Sequence, residues 1–312
     1  MVEVILMQSA LMFLFMAIGF LLYKTKKITE QGSKTIANIL VYAVLPAVIV
    51  KSFCKAPTAE NMSALGISAL LGLGALLISI IVSRLFFNDA PLDEFASAFS
   101  NVGFFGIPLI QATPLGNDGV FYIATIVALV NVGQWTYGVM RLTQKSVKET
   151  FSPVKLLTSP FIIATLVGLL LFFTGIGDML YQIDITKKVV FGVIDGLSVV
   201  NTPLAMMIIG VYLAQTDLKT LFTTKATYTV SMVRLIVIPL VVLLVFWLVP
   251  HSLEPIKTAV FIAISCPVGS NVAVYAELHG KDYSHAVKTV TSSSIFSIIT
   301  MPLLIMLAGL IF

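Results

Sequence analysis

The sequence predicts an all-α polytopic membrane protein of ten transmembrane helices, and three observations predict it. Of 312 residues, 58% are hydrophobic and only 11% charged, with a mean hydropathy of +1.02, whereas soluble domains carry about 25% charged residues. Apolar runs of about 20 residues, the length that crosses a bilayer, recur along the whole chain and leave no soluble domain between them. Two of these runs are interrupted by helix-breaking residues, at 97–108 (SAFSNVGFFGIP) and 265–271 (SCPVGSN). In lipid a broken backbone leaves N–H and C=O groups unpaired, so a break is tolerated only where it is buried in protein or lines a polar cavity. Two breaks in corresponding positions of two halves point to a transporter's binding site.

The spans are expected near 4–23, 36–53, 64–87, 94–115, 119–140, 156–175, 188–213, 224–249, 255–278 and 284–312. The first has no basic stretch before it and no small-residue cleavage site after it, so it reads as a retained helix. The second and seventh carry Pro46 and Pro203 near their middles, and Pro239 and Pro302 fall in the eighth and tenth. Transmembrane helices absorb such prolines as kinks. The fourth and ninth contain the two breaks.

Loop charges set the expected orientation. Thirteen of the 19 basic residues fall in odd-numbered loops: Lys24, Lys26, Lys27, Lys34, Arg84, Arg141, Lys145, Lys148, Lys155, Lys219, Lys225, Lys281 and Lys288. The even loops hold Lys51, Lys55, Lys187, Lys188 and Lys257, so the odd loops are expected in the cytoplasm and both termini outside. The same rule accounts for the net charge of +4 without an acidic partner such as nucleic acid. The polar connection 143–155 divides the chain into residues 1–142 and 156–312, with five spans each. An odd number of spans puts the halves in opposite orientations. Laying Asn101-Val102-Gly103 over Pro267-Val268-Gly269 brings Leu115-Gly116-Asn117-Asp118 to within two positions of His279-Gly280-Lys281-Asp282. A 5+5 inverted repeat is therefore expected.

If the fourth and ninth spans break and cross near the membrane midplane, half-helix ends point into one cavity. The N-terminal end of a half-helix carries partial positive charge and free N–H groups, which suit an anion. Asn101 and Asn271 can donate and accept without the cost of a buried charge, and are the first choice for substrate contacts. Val102, Gly103, Pro108, Pro267, Gly269 and Ser270 complete the expected substrate site. The alternative for each asparagine is that it only caps its broken helix. Ser97, Ser100, Ser265 and Thr113 add hydroxyls, which in membrane helices more often satisfy backbone carbonyls. Three intramembrane charges, Asp195, Arg234 and Glu277, are candidates for ion coupling or charge balance. Arg234 could balance an anionic substrate or pair with a carboxylate, and Glu277 could carry a proton or be a solvated helix end. Asp93 and Glu94 read as helix-start residues complementing the dipole. The two cysteines and three histidines form no metal or redox spacing. No Walker loop, GxGxxG, HExxH or GxSxG is present, which argues against ATP-driven pumping, a cofactor or an enzyme.

At the broken segments the chain resembles the auxin efflux carrier family, which includes plant carriers and bacterial malonate and malate permeases. The matching residues are Asn101 with Gly106-Ile107-Pro108-Leu109, Leu45-Pro46, Asn201-Thr202-Pro203-Leu204, Arg234 through Pro239-Leu240, Pro267 through Asn271, and Met301-Pro302-Leu303. The resemblance implies a fold similar to bile acid sodium symporters. In it spans 1, 2, 6 and 7 form a scaffold and homodimer surface, while spans 3–5 and 8–10 form a transport domain that moves as an elevator. It implies organic anions as substrates and contact of Asn101 with them. The short 143–155 loop, and Val272 where plant members have a second crossover proline, favour the bacterial branch over auxin itself. The expected function is thus secondary transport of small mono- or dicarboxylates across the cell membrane, with H+ or Na+ as coupling ion. An anion channel or ligand sensor using the same cavity is the alternative.

Overall fold

The computed structural model describes residues 2–146, 154, 157–215 and 224–312. Most of the 143–155 connection lies outside the described residues, as do Lys148, Lys155 and Lys219. Among the described residues the fold is built of thirteen α-helices: α1 (Val2–Lys24), α2 (Glu30–Ser52), α3 (Ala59–Phe87), α4 (Pro91–Ala98), α5 (Val102–Gln111), α6 (Gly116–Thr143), α7 (Pro160–Phe173), α8 (Ile176–Gln182), α9 (Asp184–Gln215), α10 (Lys225–Trp247), α11 (Glu254–Ser265), α12 (Asn271–Leu278) and α13 (Tyr283–Ile311). Among the described residues, α2, α3, α6, α9, α10 and α13 are long and apolar enough to cross a membrane. The pair α7 and α8, bent by 78°, adds a seventh span if counted as one. The expected fourth and ninth spans are each two short helices, α4 with α5 and α11 with α12, joined through the breaks.

Helix starts follow local chemistry. Thr29, Thr58 and Asp282 accept from the amides of Gly32, Asn61 and His285 and so satisfy first-turn donors. Prolines explain three π-helical turns, at Leu40–Val44, Val102–Gly106 and Val233–Val237, each ending two residues before Pro46, Pro108 or Pro239. A proline ring crowds the carbonyl four residues earlier and offers no N–H, and a widened turn relieves both.

Packing is set by small residues. Along α3, Ser68, Gly72, Ala75 and Ser79 form a buried stripe at helical spacing, and a Cβ on Gly72 would lie 2.4 Å from Ile126 of α6. Between α1 and α9 the backbones touch. A Cβ on Gly19 would lie 2.0 Å from the Met207 carbonyl oxygen, and one on Gly210 would lie 1.9 Å from that of Met16. Contacts pair α1 with α9 and α7 with the second half of α2; α3 packs on α6, and α10 on α13. Leu70, Leu85, Leu166, Leu244 and Leu310 remain exposed on the outer surface, as lipid contact requires.

Candidate functional site

The two breaks meet. Ser100 and Val268 form an antiparallel bridge, in which the Asn101 amide donates to the Pro267 carbonyl at 2.8 Å and the Gly269 amide to the Phe99 carbonyl at 3.0 Å. The two triplets that align between the halves are thus also in contact. Pro267 holds Cys266 extended, because the residue before a proline is pushed out of the helical region (φ −58°, ψ 153°). Gly269 eases the crossing: a Cβ there would sit 3.3 Å from the Phe99 carbonyl oxygen and 3.4 Å from that of Ser100, a tight fit. The Val268 amide finds its acceptor outside the breaks, in Ser293 Oγ of α13 at 3.1 Å.

A small cavity lies at this crossing, lined by Asn101, Val102 and Gly103 of one break, Gly269, Ser270 and Asn271 of the other, and Asn131, Gln134 and Phe161. None of its lining residues carries a charge. The first-turn amides of α5, at Val102, Gly103 and Phe104, have no helical acceptor and belong to this lining. The Asn101 side chain makes no capping hydrogen bond, against the alternative that it serves only its own helix. Asn271 Nδ2 donates to Gln134 Oε1 at 3.3 Å, and Asn131 Nδ2 to the Val127 carbonyl at 2.8 Å. The free volume is about 20 Å³, which suffices for roughly one water molecule. Asn131, Phe161 and Asn271 also line a second cavity of about 250 Å³ with Tyr42, Trp135 and Tyr275, on the side of the odd loops.

Of the expected site residues, Asn101, Val102, Gly103, Gly269, Ser270 and Asn271 come together. Pro108 and Pro267 shape the breaks without lining the cavity. Arg234 stands elsewhere: it is wholly buried and donates to the carbonyls of Cys266 (3.0 Å), Ser97 (3.0 Å) and Ala98 (3.2 Å). Those carbonyls are the C-terminal ends of α4 and α11, the negative poles of two half-helices. The guanidinium ties the breaks together from behind, and its partners are backbone oxygens where a carboxylate was one expectation. Glu277 is exposed at the end of α12. Asp195 pairs with Lys51 at 2.5 Å near the even loops. Ser97 and Thr113 bond the carbonyls of Glu94 and Ile110, as hydroxyls in membrane helices do.

Glu94 departs from a solvated helix start. Its carboxylate is wholly buried, accepting from Arg141 Nε and Nη2 (2.9 and 2.7 Å), from Arg84 (3.4 Å) and from the Tyr137 hydroxyl. Beside it Asp93 meets His285 at 2.6 Å, joining α4 to α13. Gln134 and Asn131 were not expected at the site. Two amides three residues apart in an apolar span share one helix face, and that spacing was the available signal. Among the described residues no group of three or more His, Cys, Asp or Glu side chains converges on a metal site.

Broken helices crossing inside a bundle of apolar helices, with amides and uncharged polar side chains turned into one cavity, define a polytopic membrane protein of the transport class. The sequence profile of the membrane transport protein family matches residues 4–155 and 146–305, nearly the whole chain, and the chain belongs to that family. The likeness to auxin efflux carriers holds at this family level. Among curated proteins none matches the chain.

Proposed function

We propose that this membrane transport protein is a secondary transporter of small organic anions, mono- or dicarboxylates of the auxin-like or malate/malonate-like kind, with the substrate held at the crossing of the two breaks. The observation that carries this is that Asn101, Asn271, Gln134 and the first turn of α5, whose amides lack helical acceptors, line one uncharged cavity. Such groups stabilise a carboxylate through helix dipoles and hydrogen bonds without a fixed counter-charge, so the same site can also release it. Counting each broken pair as one crossing gives ten spans in a 5+5 inverted repeat. Packing supports that count, because exchanging spans 1 with 6 and 2 with 7 turns the α1–α9 contact into the α7–α2 contact.

The crossing has room for about one water, and its lining residues Asn131, Phe161 and Asn271 are shared with the cavity on the odd-loop side. By the charge rule that side is the cytoplasm, which puts both termini outside the cell membrane. Spans 3–5 and 8–10 carry the crossing past a scaffold of spans 1, 2, 6 and 7, whose outer face supplies the homodimer contact. Uptake of radiolabelled malonate and benzoate into proteoliposomes tests the proposal. Asn101→Ala and Asn271→Ala, each still folded by size-exclusion chromatography, are expected to lower uptake at least tenfold, roughly one charge-assisted hydrogen bond. Wild-type uptake by both variants would overturn it.

A further inference from the structure

A further cavity lies apart from the crossing. It is an open cleft of about 490 Å³ on the even-loop side, between Leu11 and Phe15 of α1, Lys51 at the end of α2, Gln111 at the end of α5, and the face of α9 from Asp195 to Pro203. It shares no lining residue with the crossing or with the odd-loop cavity. Its volume lies in the range of small-molecule sites.

The lining sorts by chemistry. Leu11, Phe15, Val199 and Pro203 make an apolar wall, and Lys51 and Gln111 supply donors. The Lys51 side chain is 20% exposed, and its ammonium meets Asp195 at 2.5 Å; the Asp195 side chain is 51% exposed. The cation is therefore fixed in the pocket while its partner reaches water. An ammonium has three N–H donors, and a partly solvated aspartate can be displaced from it at small cost. Gln111 holds Asn201 through its carbonyl oxygen, accepting from Asn201 Nδ2 at 2.6 Å, which leaves its NH2 group for the cavity.

We propose that this cavity is a second anion station, in which Lys51 exchanges Asp195 for the carboxylate of a small organic acid whose apolar body lies against Phe15 and Val199. The displaced Asp195 turns to solvent, and Gln111 offers a second donor to the bound acid. An acid seated there bridges Lys51 of α2 and Gln111 of α5 on the opposite side of the crossing from the Asn271 vestibule.

The test is binding of 4-(trifluoromethyl)benzoate to the full chain in lipid nanodiscs, read by broadening of the ligand's ¹⁹F signal, with 4-(trifluoromethyl)benzyl alcohol as the uncharged control. In the Asn101→Ala background, where the crossing no longer holds the acid, Lys51→Gln is expected to weaken the remaining broadening at least tenfold, Lys51→Arg to keep it, and Asp195→Asn to strengthen it several-fold by removing the internal competitor. In that background, binding that survives Lys51→Gln, that weakens in Asp195→Asn, or that is equal for the alcohol would overturn the proposal. Should Lys51→Gln fail to fold, the responses required of the other two, binding kept in Lys51→Arg and strengthened in Asp195→Asn, still decide it. Asn101→Ala separates the two sites: broadening lost there and kept in Lys51→Gln assigns the acid to the crossing alone and refutes the second station while leaving the transport proposal standing.

Discussion

Replacing Arg234 by alanine tests what holds the crossing together. Its guanidinium donates three hydrogen bonds, to Cys266, Ser97 and Ala98, at 3.0–3.2 Å in a fully buried setting. Alanine leaves three buried carbonyls without a donor at about 1–3 kcal/mol each, or about 3–9 kcal/mol in all. The lost charge no longer has to be kept from water, and that relief of several kcal/mol leaves a net destabilisation of about 3 kcal/mol. At 2–4 °C per kcal/mol for a chain of this size, the apparent melting temperature in detergent falls by roughly 6–12 °C. Arg234→Lys is expected to recover about half of that, since an ammonium keeps three donors but lacks the planar fork that reaches both half-helix ends. The assay is thermal unfolding followed by size-exclusion chromatography, with uptake measured on protein that stays folded. A fall of less than about 2 °C together with lost uptake would refute a tie between half-helices and assign the charge to the substrate instead.

Two further outcomes follow from packing and buried charge. Glu94→Gln is expected to destabilise by about 3–5 kcal/mol, because it strips the buried partner of Arg141, whereas Arg84→Gln, at a half-exposed 3.4 Å contact, should cost about 0–1 kcal/mol; equal melting shifts for the two would count against this. Gly210→Ala is expected to abolish folded expression, since its Cβ would lie 1.9 Å from a backbone oxygen. Gly66→Ala meets nothing within 4 Å and should raise the melting midpoint, so a similar loss in both would show that the α1–α9 contact is not the cause.

Much of this architecture was legible in the residues. Apolar length and composition marked the helices, and Asn101, Pro108, Pro267 and Gly269 marked the breaks, because helix-breaking residues inside lipid-length runs have few structural uses. Self-similarity placed the breaks in corresponding positions, and they pair. What stayed hidden depends on separations that no local pattern encodes. Lys51 looked like a loop charge, and its partner lies 144 residues further on. Glu94 read as a helix start because the arginine that buries it comes 47 residues later. Arg234 stood out as an intramembrane charge, but its partners are backbone carbonyls, which every residue has and no sequence displays. Gln134 begins a π-helical turn with no proline to announce it.

The contact of α1 with α9 leaves no play along its length. A slip of one turn, about 5.4 Å, would put Phe15 or Tyr23 where Gly19 now clears the Met207 carbonyl, and Met206 or Ala214 where Gly210 clears Met16. The two helices therefore behave as one stiff rail. On the other face of α9, the side-chain hydrogen bonds that join it to α5 among the described residues are that of Asn201 to Gln111 and a 3.4 Å bond from Thr202 to the Pro108 carbonyl. That seam is polar and sparsely bonded, and it runs beside the 490 Å³ cavity, which gives water a path to re-solvate those groups when they part.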